Sequence, residues 1–157
     1  MLTFDRGKNR FNYRTVGLCI HDHHVLLHQM EGDDYWALPG GRVEMLENSK
    51  DALEREMKEE LGDKVKVQRL LWVMETFFQH ETRHFHELGF YYLFSLPESF
   101  PYLDKTESFH GAEEDVPLVF KWFPLSEIRK DFSLHPIFLR KAIHDLPTET
   151  VHVIQHD

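Results

Sequence analysis

The sequence has little cysteine, no long apolar run and no excess of positive charge, and each shortage excludes a class of protein. Cys19 is the only cysteine among 157 residues, so no disulfide can form within the chain. No apolar stretch approaches the length of a membrane-spanning helix. The formal net charge of −9 opposes broad electrostatic binding of a nucleic acid polymer, which needs basic patches.

The first residues of the chain also lack a targeting pattern. Residues 1–6 do not show the charged and then apolar order of a secretory signal peptide. Cys19 lies in an apolar run, which favours a small buried side chain over a reactive thiol. We therefore expect a cytoplasmic protein, a monomer or homodimer, that binds neither a membrane nor a nucleic acid polymer. The net charge does not exclude a small nucleotide-type molecule, because one local site can hold it.

The composition is that of a globular protein. Hydrophobic residues make up 41% of the chain and aromatic residues 13%, which is enough to build a core. The length is normal for one domain, and the chain contains no internal repeat and no low-complexity linker. The sequence therefore predicts a single domain over residues 1–157.

Apolar runs separated by polar breaks predict a series of strands with helices between them. Residues 13–20 and 25–28 are expected to form a hairpin, and further strands are expected at 35–38, 65–78, 85–96 and 119–123. One helical turn is predicted at 125–129 and a closing helix at 136–144, while 151–154 is either an edge strand or a frayed end. Residues 97–117 hold three prolines and predict a long, functional loop. This order predicts an α/β fold, a mixed sheet with helices packed on it.

The best-defined predicted element is a helix in the middle of the chain. Asn48 or Ser49 can cap it, Leu61 is near its last residue, and Gly62 is well placed to end it. When the helix is drawn at about 100° per residue, leucine and methionine side chains form an apolar stripe on one face. That face is expected to pack against the sheet.

Three carboxylates, those of Glu56, Glu59 and Glu60, share the strip beside this apolar face. Like charges at such spacing repel one another, and Mg²⁺ or Mn²⁺ would remove the conflict. The helix alone favours a solvated face instead, because glutamate is a common helix former. Arg55 can pair with Glu59 and with Glu47, either to orient a site or as a structural ion pair.

A longer pattern surrounds these glutamates. Residues 41–63 read GRVEMLENSKDALEREMKEELGD, which resembles the signature G-x5-E-x7-R-E-U-x-E-E-x-G-U of the Nudix hydrolases, the MutT-like nucleoside diphosphate-X hydrolases. The one departure is Asp63, where a bulky apolar residue (U) is expected to pack at the helix end. Residues 36–41 resemble the lead-in of this family, and residues 121–125 resemble a strand and turn late in its fold.

The resemblance implies a fold and an activity. The fold is the Nudix-type α/β/α sandwich with a mixed β-sheet between helices. The activity is Mg²⁺-dependent hydrolysis of a phosphoanhydride bond in a nucleoside diphosphate linked to another group, with Mn²⁺ as a possible substitute. The alternative is a Nudix-fold module that binds a nucleotide or regulates without catalysis. Such modules usually lose glutamates of the signature, and this chain retains them all.

The resemblance also assigns roles to residues of the signature. The metal ligands are expected to be the side chains of Glu56, Glu59 and Glu60 and the carbonyl of Gly40. The catalytic set is expected to comprise Glu47, Arg55, Glu56 and Glu59. Arg55 and Glu47 would orient the carboxylates, and Glu59 or Glu56 would accept the proton of the attacking water.

Other carboxylates and one arginine are candidates outside the signature. Some family members use a glutamate on a distant loop as the base, which makes Glu107, Glu113 and Glu114 candidates in the loop, and Glu87 another in a strand. Arg14 is a candidate for a phosphate contact. We expect the substrate to meet residues from the set Arg14, Glu87, Glu113 and Glu114, each of which is otherwise an ordinary surface residue.

The sequence says less about the substrate itself. The position at which a proline often marks ADP-ribose hydrolysis in this family is Phe78 here. The neighbouring positions 79–81 lack the tyrosine associated with dinucleoside polyphosphates. These absences leave a nucleoside triphosphate slightly ahead of an ADP-ribose-like sugar.

Overall fold

The computed structural model describes all residues from 1 to 157. It contains ten strands, two α-helices and one 3₁₀ turn at Leu125–Glu127. The helices are α1 (Ser49–Leu61) and α2 (Leu139–Ala142). The strands are β1 (Thr3–Arg6), β2 (Asn9–Leu18), β3 (Ile20–His21), β4 (His24–Met30), β5 (Gly40–Arg42), β6 (Lys66–His80), β7 (Arg83–Ser95), β8 (Phe109–His110), β9 (Leu118–Pro124) and β10 (Val151–His156).

The strands form two sheets. The larger has the order β1-β2-β7-β6-β10, with β5 also paired to β2. It is mixed, because β2 runs parallel to β7 and β10 runs parallel to β6, while its other pairs are antiparallel. The smaller sheet is antiparallel and has the order β3-β4-β9-β8.

Alternating side chains divide the interior into two apolar cores. On β4, Val25 and Leu27 enter one core and Leu26 enters the other, as the twofold period of a strand requires. Helix α2 contributes Leu139 to the first core, and α1 contributes Leu53 to the second. The helices thus cover opposite faces of the strands, which confirms the predicted α/β/α sandwich with a mixed sheet.

Helix α1 begins and ends as the sequence predicts. The Asn48 side chain accepts a hydrogen bond from the Asp51 backbone N–H at 2.9 Å, which satisfies one of the free N–H groups of the first turn. Gly62 ends the helix with a left-handed φ of 75°, a conformation that glycine adopts without strain. Leu53 and Met57 are fully buried, so this helix is held firmly against the sheet.

The strands predicted at 65–78 and 85–96 are confirmed, with slightly different bounds, as β6 and β7, which pair as the longest hairpin. The tail is an edge strand: Val151 to His156 pair in parallel with residues 72–77 of β6. The 97–117 loop is mostly irregular but anchored, since Trp122 Nε1 donates to the Tyr102 carbonyl at 2.8 Å. Tyr102 also stacks on Phe109. Strand β1, paired with the start of β2, had not been predicted.

Three predicted elements were wrong in extent. Residues 35–38 form no strand, because Ala37 and Trp36 make isolated bridges to two separate segments, at His28 and Leu134. The predicted 13–20 and 25–28 hairpin is only the short β3–β4 pair, since β2 joins the larger sheet. The closing helix shrinks to α2, because shorter i→i+3 turns lead into it at Pro136.

No helix of the structure combines the length and the apolar character needed to cross a membrane.

The N-cap of α1 gives a direct test of this local structure. Asn48→Ala should lower the free energy of unfolding by about 1 kcal/mol, because a backbone N–H loses its acceptor. Asn48→Asp keeps an oxygen in that position and should cost much less. Urea denaturation followed by circular dichroism measures both. Equal losses in the two variants would contradict the capping role.

Candidate functional site

Arg55 joins several acidic residues of the Nudix-like segment. Its Nε and Nη2 donate to the two carboxylate oxygens of Glu47 at 2.8 and 2.9 Å. Its Nη1 donates to Glu56 at 2.9 Å and reaches Glu59 at 3.4 Å, and Nη2 also donates to the Arg42 carbonyl at 3.2 Å. This two-pronged contact with Glu47 fixes the plane of the guanidinium, which in turn fixes Glu56.

Glycines let the main chain approach this cluster closely. A Cβ at Gly41 would collide with the Glu56 carboxylate, and a Cβ at Gly40 would collide with the Thr15 carbonyl of β2. Gly40 pairs with Val16 in the sheet. The backbone at Gly40 and Gly41 is therefore wedged between β2 and the carboxylates of α1.

Glu60 is the most unusual member of the cluster. It is only 6% exposed, and its Oε2 atom has no hydrogen-bond partner. Burial raises the pKa of Glu60 well above its ordinary value, and the nearby carboxylate of Glu56 raises it further. A buried carboxylate without a donor is costly, so this side chain requires either a proton or a cation.

The two neighbouring carboxylates respond to Arg55 differently. Burial raises the pKa of Glu56, and the hydrogen bond from Arg55 only partly offsets that effect. The Arg55 hydrogen bonds lower the pKa of Glu47, which remains ionised. Glu59 is held least, because its side chain is 45% exposed and touches Arg55 only at 3.4 Å.

The donor chemistry of these residues fits a divalent cation, although the ligands are not yet gathered around one point. No three His, Cys, Asp or Glu side chains converge in a metal-binding geometry in the structure. Glu60 nevertheless offers a free buried oxygen, and Glu56 and Glu59 offer two more carboxylates on the same helix face. Hard oxygen donors of this kind suit Mg²⁺ or Mn²⁺. Side-chain rotation, chiefly of the loosely held Glu59, would be needed to complete the set.

A cavity of about 400 Å³ opens beside Glu60, a size usual for small-molecule sites. Arg14 lies in its wall, in the middle of β2 rather than near the strand start, and makes no ion pair. Burial lowers the pKa of Arg14, but the negative groups around it, first Glu87 and then Tyr91, Glu60 and Glu56, together outweigh burial and raise it. Arg14 therefore remains charged and is free to meet an anion.

Glu87 lies in the same cavity, on β7. Its Oε2 accepts a hydrogen bond from the side chain of buried Asn12 at 2.8 Å. The structure thus brings together Arg14, Glu87 and the glutamates of α1, residues that are distant in sequence.

The loop carboxylates are placed less favourably. Glu113 is exposed, but its charge contributes to the raised pKa of Glu60, because the Ala112 N–H donates to the Glu60 carbonyl at 2.7 Å. Glu107 and Glu114 are exposed and do not line the cavity. Of the three loop candidates, only Glu113 lies near the cluster.

Some wall residues were missed from the sequence. His28, Gln29 and His135 line the cavity, and their local sequence shows no signal for it. Asn12 was also missed, although the alternation of polar Arg10, Asn12 and Arg14 with aromatic or small residues along β2 indicates a polar strand face. That face is the one that borders the cavity.

A comparison with protein families identifies the domain. The model of the NUDIX domain matches residues 12–146, which include most of β2 with Arg14, the whole of α1, and β7 with Glu87. The chain belongs to the Nudix family.

Individual relatives are more distant. The chain is 57% identical over 35 residues to the nucleoside triphosphatase NudI of Escherichia fergusonii, a match that covers 22% of this chain and 25% of that protein. The chain therefore matches only a quarter of the length of this curated relative.

Solved structures share the Nudix fold over most of the chain. A UDP-X diphosphatase superposes with a TM-score of 0.54 at 21% identity, covering 89% of this chain and 66% of that one. The E. coli ORF135 protein superposes with a TM-score of 0.55 at 20% identity, and the match covers 90% of this chain and 94% of that one. An ADP-ribose pyrophosphatase from Streptococcus suis superposes with a TM-score of 0.54 at 18% identity, and the match covers 90% of this chain and 98% of that one. At these identities the likeness shows the fold.

The buried His28 in the cavity wall makes stability depend on pH. Burial, with the nearby charge of Arg14, lowers the pKa of His28 from 6.5 to about 3. The unfolded chain therefore binds a proton more readily, and stability present above pH 6.5 is lost as the pH falls toward 3. Between pH 7 and pH 5, His28 should account for a loss of about 2 kcal/mol.

His28→Phe should remove this part of the loss, as measured by urea denaturation at the two pH values. His84→Phe is the matched control, because His84 is exposed. A pH dependence in His28→Phe that equals that of the parent protein would show that His28 does not titrate in this way.

Proposed function

We propose that this chain hydrolyses a phosphoanhydride bond in a nucleoside diphosphate linked to another group, with Mg²⁺ or Mn²⁺ as cofactor. The observation that carries the proposal is the buried, unpartnered oxygen of Glu60, which lies between the Arg55-braced carboxylates and the cavity that holds Arg14. A cation on one side and a phosphate on the other would satisfy both the free carboxylate and the free guanidinium.

The metal ligands in this proposal are Glu56, Glu59 and Glu60, with the Gly40 carbonyl beside them. A bound divalent cation would neutralise charge on the phosphate oxygens and acidify a bound water. Arg55 and Glu47 act as positioning residues, because their paired hydrogen bonds hold Glu56 at the edge of the cluster.

The remaining chemistry falls to Glu59, the metal ligand that the protein holds least firmly, and to side chains outside the metal set. Glu59 is the least constrained carboxylate of α1, so it accepts the proton of the attacking water in this proposal. Arg14 binds an oxygen of the diphosphate, since it is charged and unpaired in the cavity wall. Glu87 contacts the remainder of the substrate, and Glu113 lies at the rim near Glu60, while Glu114 has no role in this scheme.

The names of the relatives indicate only a general class of substrate. NudI is named a nucleoside triphosphatase, and structures of the same fold include a UDP-X diphosphatase and an ADP-ribose pyrophosphatase. The sequence favours a nucleoside triphosphate over an ADP-ribose-like sugar. We propose the nucleoside triphosphate first, handled in the cytoplasm by a chain that acts as one domain.

A second candidate function is a nucleotide-binding or regulatory module without catalysis. The observation in its favour is that no three potential ligands converge in the structure. Its signature would be nucleotide binding by calorimetry with no turnover of any nucleotide under either metal.

The first test is a panel of nucleoside triphosphates and nucleotide sugars incubated with Mg²⁺ or Mn²⁺, with hydrolysis measured by chromatography as loss of the substrate and formation of the shorter nucleotide. Glu60→Gln should lower kcat by about two orders of magnitude or more, because a neutral amide is a poor metal ligand. Glu54→Gln is the matched control on the same helix and should leave kcat unchanged. Turnover that persists in Glu60→Gln and in the presence of a chelator would rule out this metal mechanism.

The second test concerns the Arg55–Glu47 pair. Arg55→Lys keeps the charge but loses the two-pronged contact, so kcat should fall by about 10- to 100-fold and more metal should be needed for half-maximal activity. Glu47→Gln should act in the same direction. The double variant should be little worse than either single one, because both disrupt one contact. Fully additive losses would mean that the two residues act independently.

A further inference from the structure

A second cavity of about 420 Å³ adjoins the candidate site. Tyr35 and His135 line both cavities, so the two lie next to each other. The rest of the second cavity is lined by three apolar side chains, those of Phe78, Phe85 and Ile137, and by three polar ones, those of Gln79, His80 and Asp157. None of these residues has a role in the hydrolysis proposed above.

The strands place the two cavities along one track on the same sheet face. Arg14 of β2 lies beside Gly89 of β7, and Asn12 lies beside Glu87. Phe85 lies two residues before Glu87 on β7 and pairs with Phe78 of β6. Because a strand rises about 3.3 Å per residue, the aromatic pair lies roughly 13 Å from the row of Arg14 and about 7 Å from Glu87.

Phe78 and Phe85 form a flat platform. Their rings stack with centroids 4.9 Å apart and an angle of 2° between planes, and both side chains are only half-buried. Stacked aromatic rings with an open face accept a further planar ring, and such stacking tolerates any base.

Glu87 lies between the charged end of this track and the platform. Its Oε2 is engaged by Asn12, while its other oxygen accepts no hydrogen bond from the protein. A carboxylate oxygen is an acceptor only. Glu87 therefore favours a ligand that presents an N–H group, and it disfavours one that presents a carbonyl at the same place.

The opposite wall is held in place. Tyr35 and His135 meet edge to face at 5.8 Å. The Asp157 carboxylate accepts a hydrogen bond from the Ile137 backbone N–H at 3.2 Å and contacts His135 at 3.3 Å. A ring that enters the second cavity thus meets a fixed wall opposite the platform.

We propose that Phe78, Phe85 and Glu87 form the subsite for the nucleobase of the substrate, and that this subsite selects a base with an exocyclic amino group. The inference rests on the proposed function, because it assumes that the diphosphate occupies the end of the track near Arg14. Cytosine, adenine and guanine satisfy the requirement, whereas uracil presents a carbonyl where cytosine presents its amine.

The test uses CMP and UMP, which differ at that amine, as probes of the metal-free protein in the presence of a chelator. Calorimetry should show CMP binding about tenfold more tightly than UMP, because only CMP donates a hydrogen bond to Glu87. In Glu87→Gln, the amide oxygen should keep the hydrogen bond from Asn12 and the amide N–H₂ should face the ring. The preference should then reverse toward UMP.

The platform is tested with Phe78→Leu and Phe85→Leu, each of which should weaken CMP binding by about tenfold. Phe77→Leu is the matched control, since Phe77 is the neighbouring residue but stacks on His86 and His156 on the opposite sheet face. Thermal melting of each variant confirms that it is folded. If a variant does not fold, the parent protein is examined instead. Its ¹H–¹⁵N spectra with added CMP should show chemical-shift changes at residues 78, 85 and 87 and none at residue 77.

Equal affinities for CMP and UMP, or an unchanged order in Glu87→Gln, would overturn the selection by Glu87. Full CMP affinity in folded Phe78→Leu and Phe85→Leu, or absence of shifts at these positions, would overturn the subsite. These results are separate from those of the hydrolysis panel. Selectivity for CMP without turnover of any nucleotide would support the subsite and contradict the proposed hydrolysis. Turnover without this selectivity would support the hydrolysis and contradict the subsite.

Discussion

The electrostatic conflict on α1 is the constraint on which the rest of the site depends. Glu56, Glu59 and Glu60 occupy one strip of a helix whose adjoining apolar face is buried, so the helix backbone keeps the three residues on the same side. Arg55 relieves part of the conflict through its contacts with Glu47 and Glu56. It does not reach Glu60, whose free oxygen stays buried. The fold thereby keeps a carboxylate buried without a neutralising partner, and a divalent cation can neutralise it.

The larger sheet supplies the residues that extend this cluster into a binding site. Strand β2 contributes to both the core and the site: Val16 and Leu18 enter the first core, while Arg14 lines the cavity. Because β2 runs parallel to β7, Arg14 and Glu87 come into one cleft. The protruding β6–β7 hairpin then extends the same face beyond the glutamates. One face of the larger sheet thus carries an anion contact, a hydrogen-bond acceptor and an aromatic platform, one after another.

Much of the fold was predictable, for reasons that are local. The caps of α1 are read from Asn48 and Gly62, because capping depends on residues a few positions apart. The long β6 and β7 strands were predictable from their apolar and aromatic runs. The failures at 35–38 and 136–144 have a different origin. Both segments contact distant parts of the chain, and those tertiary contacts decided their conformation, against their local propensity.

The amino-acid sequence by itself determined the family, the α/β/α class and the spacing of Glu47, Arg55 and the three glutamates. Those features depend on short separations along one helix and its lead-in, where chain geometry leaves little freedom. Only the tertiary structure decided that Arg14 and Glu87 share a cavity and that Glu60 has no partner. It also decided which of the many aromatic side chains border the site, because strand pairing and burial join residues far apart in the chain.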